Sequence, residues 1–200
     1  MKKCWRRWRL KSLNKKVESL LRQRQNNPVS DADIAKEIQL HMAIGHIYDQ
    51  HRFDKKIPYA ERLALESYRA AAALENPQAQ YIVGERLMEF GKFWDRMQTS
   101  LYGCQAHKKY AEQAYQEAFV YLEACDKQQY PKAKRLQGLA WINGWGVEKD
   151  FDKGVAWVVD SIEMEGKWDQ LTDILTKIEL NTPDFFASIR KAREARRHME

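Results

Sequence analysis

The residues that could bind a metal ion or act as a general base are the histidines of the segment LHMAIGHIYDQH. His41, His46 and His51 lie five residues apart. On an α-helix this spacing turns each ring by roughly 140° from the last, whereas two metal ligands on one helix are three or four residues apart. We therefore expect ordinary polar histidines in this segment and no metal site.

Other patterns for catalysis are also missing from the sequence. It contains no glycine-rich phosphate loop, no nucleophile elbow and no paired-cysteine cluster. Cys4, Cys104 and Cys125 form neither a disulfide framework nor a ligand set, which favours free thiols in a reduced, cytoplasmic protein. We expect no enzymatic activity, no cofactor and no small-molecule substrate.

A basic surface is the remaining chemistry that the sequence offers. Residues 1–25 contain ten Lys or Arg against one Glu, and residues 190–200 contain five Lys or Arg against two Glu. The residues between them carry 25 acidic against 19 basic side chains, although the whole chain has a net charge of +6. A mildly acidic body therefore lies between two basic ends.

The basic N-terminal arm, residues 1–25, has the apolar pattern of an amphipathic helix. Apolar residues recur at three- and four-residue spacing and predict a helix docked on an apolar surface: Leu10, Leu13, Val17 and Leu20 or Leu21. The arm has the charges of a signal peptide but not the uninterrupted apolar segment that must follow them.

A second surface of the arm is predicted away from this apolar stripe. It comprises two indoles and three guanidinium groups: Trp5, Arg6, Arg7, Trp8 and Arg9. Trp and Arg often anchor protein partners, so we expect a protein partner here. An anionic membrane surface at the inner face of a membrane is the alternative, and nucleic acid is the least expected because no known binding motif is present.

The positioning elements are helices that repeat along the chain. Glycine and proline are scarce, and we predict helices at 4–25, 31–51, 58–75, 77–91, 107–128, 131–143, 151–165, 168–180 and 183–198. Two segments share one spacing of small residues, namely Ala64, Ala79 and Gly84 in the first and Ala118, Ala133 and Gly138 in the second. Gly45 is a third glycine of this kind, before Gly84 and Gly138 in the chain. Such positions let two helices approach closely, which predicts stacked helix pairs.

The segment GWGVEKDFDKGVAW predicts how one helix pair is joined. Gly144 and Gly146 permit the left-handed backbone that ends the first helix. Asp150 or Asp152 then caps the second helix. Trp157, with Trp141 before the turn, is expected in the core.

This segment resembles the Sel-like repeat, a relative of the tetratricopeptide repeat, with Gly154 in place of the usual alanine. The resemblance covers about residues 31–168 and extends to 180 if 168–180 is a degenerate helix. It implies an all-α fold, an α-solenoid of three to four stacked antiparallel helix pairs at 31–180. It also implies a non-enzymatic adaptor or scaffold in bacteria, in a secretion apparatus or another multiprotein complex.

The repeat spacing predicts an insertion at about 92–107, because 54 residues separate Gly84 from Gly138 but only 39 separate Gly45 from Gly84. Insertions in solenoids often lie on the functional face. The candidate partner-binding residues of the repeats are therefore Arg86, Glu89, Phe93, Trp94, Tyr102 and Trp145.

A capping helix is predicted at residues 182–200. Thr182 and Pro183 form a start signal, and Phe185, Phe186 and Ile189 are expected to cover the open end of the repeats. The basic segment RKAREARRH is expected to face water.

Overall fold

The computed structural model describes the backbone of residues 2–26, 30–52 and 57–197, and the side chains of 8–23, 30–52 and 57–196. This described part is all-α and contains no strand, which confirms the predicted fold class. It forms two compact units, Met1–Val83 and Gly84–Glu200. The helices are α1 (Lys2–Asn26), α2 (Asp31–Asp49), α3 (Ala60–Ala73), α4 (Pro77–Gln98), α5 (Gln105–Asp126), α6 (Pro131–Asn143), α7 (Phe151–Glu165), α8 (Leu171–Lys177) and α9 (Pro183–Arg197).

Side-chain caps explain why several helices begin where they do. Asp150 Oδ1 accepts a hydrogen bond from the Lys153 amide at 3.0 Å, so this residue and not Asp152 caps α7. Thr182 Oγ1 accepts from the Phe185 amide at 3.3 Å at the start of α9. Gly144 ends α6 with φ of 76°, as the sequence predicts.

In the first unit, the N-terminal arm packs back on its own body. Val17 and Leu20 of α1 are buried together with Leu40 and Ile44 of α2, whereas Leu21 is exposed. The predicted apolar stripe is therefore confirmed, with Leu20 as its last member. The surface that it covers is the first helix after the arm.

The three aligned glycines have equivalent surroundings. A Cβ added to Gly45 would lie 2.6 Å from the Tyr68 ring, and one added to Gly84 would lie 2.7 Å from Leu122. At Gly138 it would lie 2.8 Å from both the Gly154 carbonyl oxygen and Val158. The missing side chain of each glycine thus leaves room for the second helix of its pair: α3 beside Gly45, α5 beside Gly84 and α7 beside Gly138. The aligned alanines are all buried: Ala64, Ala79, Ala118 and Ala133. This pairwise packing of consecutive helices is the packing expected of an α-solenoid.

The two histidines of α2 contact neighbouring side chains, and His46 contacts the facing helix. The Tyr68 hydroxyl lies 3.2 Å from His46 Nδ1. His41 Nε2 lies 3.8 Å from Glu37 Oε1, and burial lowers the pKa of His41 although the Glu37 carboxylate opposes the shift.

The C-terminal helix covers one side of α7. Phe185 and Ile189 are buried in a cluster with Ile142, Val158 and Ile162, and Phe186 packs against it. The basic segment does not simply face water. Two of its arginines contact the body: Arg196 pairs with Asp160 and Glu163 of α7, and the Arg193 guanidinium lies 3.9 Å from the Trp168 ring centroid.

Two further predictions are wrong in detail. Trp141 and Trp157 are only partly buried. A lysine ammonium group lies over each ring: Lys153 Nζ is 3.4 Å from the Trp141 ring centroid, and Lys134 Nζ is 5.1 Å from that of Trp157. Each indole therefore lies at the edge of the core, where a cation can reach its face. The helix predicted at 168–180 is a 3₁₀ turn at Trp168–Gln170 followed by α8.

Candidate partner-binding surface

The insertion is a lengthened helical hairpin and not a separate segment between shorter helices. The sequence predicts that helices end at 91 and resume at 107, but α4 continues to Gln98 and α5 begins at Gln105. Both helices contain 22 residues, whereas α6, which begins at the equivalent proline, contains 13. The extra residues therefore add about two turns to each helix and leave a six-residue loop at 99–104.

An aromatic cluster joins the two extended helices. The ring of Trp94, on α4, stacks on that of His107, on α5, with centroids 5.2 Å apart. Its centroid also lies 5.2 Å from that of Tyr110 on α5. Phe93 meets Trp94 edge to face at 5.1 Å. These contacts fix the two helix ends relative to each other and still leave Phe93 45% exposed.

The loop at the end of this hairpin displays apolar side chains on an ordered backbone. Gly103 donates a backbone hydrogen bond to the Ser100 carbonyl at 2.9 Å, and the Ser100 hydroxyl donates to the Met97 carbonyl at 2.6 Å. Tyr102 nevertheless remains 83% exposed. We define the hairpin surface as the exposed large apolar side chains of residues 90–110, namely Phe90, Phe93, Leu101, Tyr102 and Tyr110.

An open pocket of about 530 Å³ lies beside this hairpin. Three elements of the second unit form it: the end of α4, the first half of α5, and the turn between α6 and α7. Its lining residues are Asp95, Gln98, Lys108, Glu112, Tyr115, Gln116, Asn143, Gly144, Trp145, Gly146, Val147 and Glu148.

A stacked aromatic pair forms one wall of the pocket. The rings of Tyr115 and Trp145 are nearly parallel, with centroids 5.3 Å apart and 9° between planes. Two glycines make this arrangement possible. A Cβ on Gly91 would lie 2.3 Å from the Tyr115 ring, and one on Gly146 would lie 2.6 Å from the Tyr115 backbone. Any side chain at either position would push Tyr115 away from the wall.

A hydrogen bond fixes the carboxylate next to this wall. The Tyr115 hydroxyl donates to Asp95 Oδ2 at 2.7 Å. Burial, together with the hydrogen bond and the negative charge of Asp95, raises the pKa of the Tyr115 phenol far above its ordinary value. Tyr115 therefore stays protonated at neutral pH and holds Asp95 in place.

The pocket carries more negative than positive charge. Asp95, Glu112 and Glu148 contribute carboxylates, and Lys108 is the one cation among the lining residues. Lys108 Nζ lies 3.8 Å from Glu112 Oε1, so its charge is already balanced by a neighbour on the same helix. The lining residues alone therefore have a net negative charge, and two further cations lie next to the aromatic wall: Lys92, over the Trp145 ring, and Arg96, whose charge acts on Tyr115.

The structure brings some of the predicted partner-binding residues together. Phe93, Trp94 and Tyr102 belong to the lengthened hairpin, and Trp145 lines the pocket. By contrast, Arg86 and Glu89 do not line the pocket. They pair with each other along α4, where Arg86 Nη1 lies 3.5 Å from Glu89 Oε2.

The predicted residues of the arm belong to the first unit. Trp8 is 66% exposed on α1, and Arg9 lies beside it. The side chains of Trp5, Arg6 and Arg7 lie outside the described residues. We treat this arm as a separate candidate surface.

Sequence reasoning missed the polar lining of the pocket. Asp95 and Gln98 are three residues apart on α4, and Lys108, Glu112 and Tyr115 have helical spacing on α5. These patterns place each group on one helix face. The α5 pattern lies within the helix predicted at 107–128, whereas the α4 pattern becomes visible only when the helix predicted at 77–91 is extended.

The described residues provide no group of three or more His, Cys, Asp or Glu side chains arranged to hold a metal ion. None of the described helices is long and apolar enough to cross a membrane. In comparisons with known proteins, no family model matches the chain, and no curated protein matches it either. The resemblance to Sel-like repeats therefore rests on the quoted residues and their spacing.

Proposed function

We propose that this protein is a non-enzymatic interaction module of the Sel-like repeat type that binds a protein partner through the hairpin surface and the adjacent pocket. The observation that carries the proposal is the lengthened α4–α5 hairpin. It adds two ordered helical turns whose exposed ends display aromatic side chains. Scattered single apolar residues need no explanation, but several on one supersecondary element favour a binding surface.

The composition of the hairpin surface fits a protein interface. Aromatic residues are enriched at the energetically important centres of such interfaces because they offer large contact areas. Phe93 and Tyr102 are supported from behind by the aromatic cluster and by the loop hydrogen bonds. Their backbone is therefore already ordered, which reduces the entropy that a partner must overcome on binding.

The adaptor role follows from the resemblance. A Sel-like repeat protein would hold components of a larger assembly together, and in bacteria a secretion apparatus or another multiprotein complex is the corresponding context. The basic arm supplies a second contact in this proposal. Its apolar stripe is occupied by α2, whereas Trp8 is 66% exposed and can be reached by a partner.

Affinity capture from cells that naturally contain the protein tests the proposal. We expect a stoichiometric protein partner with the wild type and its loss with the double variant Phe93→Ser and Tyr102→Ser. Val120→Ser is the matched control, because Val120 is an apolar residue of α5 that is 65% exposed and lies outside the hairpin surface. If all three proteins capture the same partner equally, the hairpin surface is not its binding site.

A second candidate function is peripheral membrane binding through the arm, which the exposure of Trp8 on a basic helix favours. Flotation with anionic vesicles separates it from the adaptor role. Vesicle binding that is lost with Trp8→Ala would support membrane attachment, and wild-type protein that stays unbound would exclude it.

A further inference from the structure

We propose that the pocket beside the α4–α5 hairpin binds the guanidinium group of an arginine on the partner. This inference rests on the proposed function and identifies the chemistry that its partner presents. It is carried by three properties of the pocket: its hydrogen-bond acceptors, its charge and its flat aromatic wall.

Several polar groups of the pocket offer hydrogen-bond acceptors, and the amides of Gln98 and Gln116 can donate or accept. The Tyr115 hydroxyl uses its proton on Asp95 Oδ2, which leaves Asp95 Oδ1 to accept from a ligand. Asn143 Nδ2 donates to the Leu139 carbonyl at 2.9 Å, so the amide oxygen is the acceptor that remains on this side chain. With the carboxylates of Glu112 and Glu148, these atoms select a ligand rich in donors.

The charge of the pocket selects a cation among such ligands. Three carboxylates face a single lining ammonium group, that of Lys108, and this group is already paired with Glu112. A neutral donor such as an amide would gain no charge-assisted hydrogen bond, and an acidic side chain would be repelled. Hydrogen bonds between a cation and carboxylates are roughly twice as strong as neutral ones.

The shape of the pocket favours guanidinium over ammonium. The aromatic surface of this wall is the partly buried indole of Trp145, which stacks on the buried Tyr115. A guanidinium is planar, stacks on aromatic faces and carries five donors that can reach separated acceptors. The indole of Trp145 already attracts one cation of the chain, because Lys92 Nζ lies 4.9 Å from its ring centroid. A volume of about 530 Å³ easily accommodates one long side chain and part of its backbone.

Titration of the full chain with capped pentapeptides tests this inference. The probe is Gly-Gly-Arg-Gly-Gly, and the reporter is the indole N–H resonance of Trp145, assigned by its loss in Trp145→Phe. We expect a saturable shift with the arginine peptide. The peptide with citrulline, which has nearly the same shape but no charge, should bind at least tenfold more weakly. The lysine peptide should fall between the two.

Two variants locate the site. Glu148→Gln should weaken binding of the arginine peptide several-fold, whereas Asp173→Asn, which neutralises an exposed carboxylate of α8 outside the pocket, should leave it unchanged. Equal affinity for the arginine and citrulline peptides, or no shift of the Trp145 resonance with either, would overturn the inference.

The titration and the capture experiment fail independently. Loss of arginine selectivity with capture still dependent on Phe93 and Tyr102 would remove the guanidinium site and leave the proposed function intact. An arginine-selective pocket in a protein whose capture ignores the hairpin variant would remove the hairpin surface and leave the pocket intact.

Discussion

The hairpins α4–α5 and α6–α7 share one small-residue register but use it differently. In α6–α7, the Gly138 carbonyl oxygen would lie 2.7 Å from a Cβ on Gly154, so the two backbones are in close contact. In α4–α5, Gly84 instead admits the larger side chain of Leu122, and both helices continue well beyond this contact. The shorter pair ends at the Gly-Trp-Gly turn, whereas the longer pair carries exposed aromatics at its end.

The difference indicates how a repeat acquires an additional exposed surface. The contacts that define the pair lie near the aligned glycine in both hairpins, so helix length beyond that point is free to vary. Additional turns are stable when their facing side chains pack, as Trp94 does against His107 and Tyr110. The outward-facing positions are then available for a partner.

The largest effect on stability is expected from Gly154→Ala in the close-packed hairpin. In an open helix this change stabilises by roughly 1 kcal/mol. Here the new Cβ would lie 2.5 Å from Ile142 and 2.7 Å from the Gly138 carbonyl oxygen, so we expect a loss of about 1–3 kcal/mol from overpacking. Thermal unfolding followed by circular dichroism measures it, and an increased Tm would contradict the close backbone contact.

An acid-sensitive ion pair is expected in the same hairpin. Burial by itself would raise the pKa of Glu165, but hydrogen bonds and charge from Arg135 and Lys167 hold this pKa below its ordinary value. The stabilisation is therefore present above the unfolded-state pKa of 4.5 and is lost as the pH falls below it. Glu165→Gln should cost about 2 kcal/mol at pH 7, the value of a hydrogen bond to a charged group, and progressively less in acid. Urea unfolding at pH 7 and pH 3 measures the difference. An equal cost at both values would contradict this role of Glu165.

The stability contributed by the longer hairpin should instead depend on pH in the alkaline range. Because the pKa of Tyr115 is raised, its stabilising effect is complete below pH 10.0, the ordinary pKa of tyrosine, and is lost as the pH rises above it. Tyr115→Phe should cost about 1 kcal/mol at pH 8 for the lost hydrogen bond to Asp95. Wild type and variant should then converge in stability above pH 10 in urea unfolding. Parallel pH profiles would show that Tyr115 does not hold the proton as described.

A change in stability of the opposite sign is expected from replacing a polar side chain in the core of α6. Gln137 is fully buried, and neither its amide nitrogen nor its amide oxygen has a hydrogen-bond partner within the described residues. The equivalent residues before the other two glycines are Ile44 and Val83. Gln137→Leu should stabilise the protein by about 1 kcal/mol in urea unfolding, because an unpaired buried amide is costly. Destabilisation would show that this amide has a bound partner in solution.

The features that depend on local sequence could be predicted. The cap at Thr182 and the left-handed Gly144 are predicted from residue type and position alone, and the cap of α7 is narrowed to Asp150 or Asp152, because each depends on neighbouring residues. The pairing of helices follows from the spacing of two alanines and a glycine that two segments share. The arm stripe was also correct, since its period matches one helix face.

The features that depend on distant residues could not be predicted. The predicted end of α4 at residue 91 coincides with Gly91, a residue of low helix propensity. In the structure the helix continues, because Gly91 provides the space that the Tyr115 ring occupies. Trp157 was placed in the core by its size, but Lys134 of another helix covers its ring at the surface. The pocket combines residues of three elements, and no single segment encodes it.

Site-specific photo-crosslinking in living cells tests the partner-binding role of the α4–α5 hairpin most directly. A photoreactive phenylalanine analogue would replace Tyr102 at the hairpin end or, as the control, Val120 on the same helix pair. Our account predicts one discrete protein adduct from position 102 and none from position 120. Adducts of equal yield from both positions, or from position 120 alone, would contradict it.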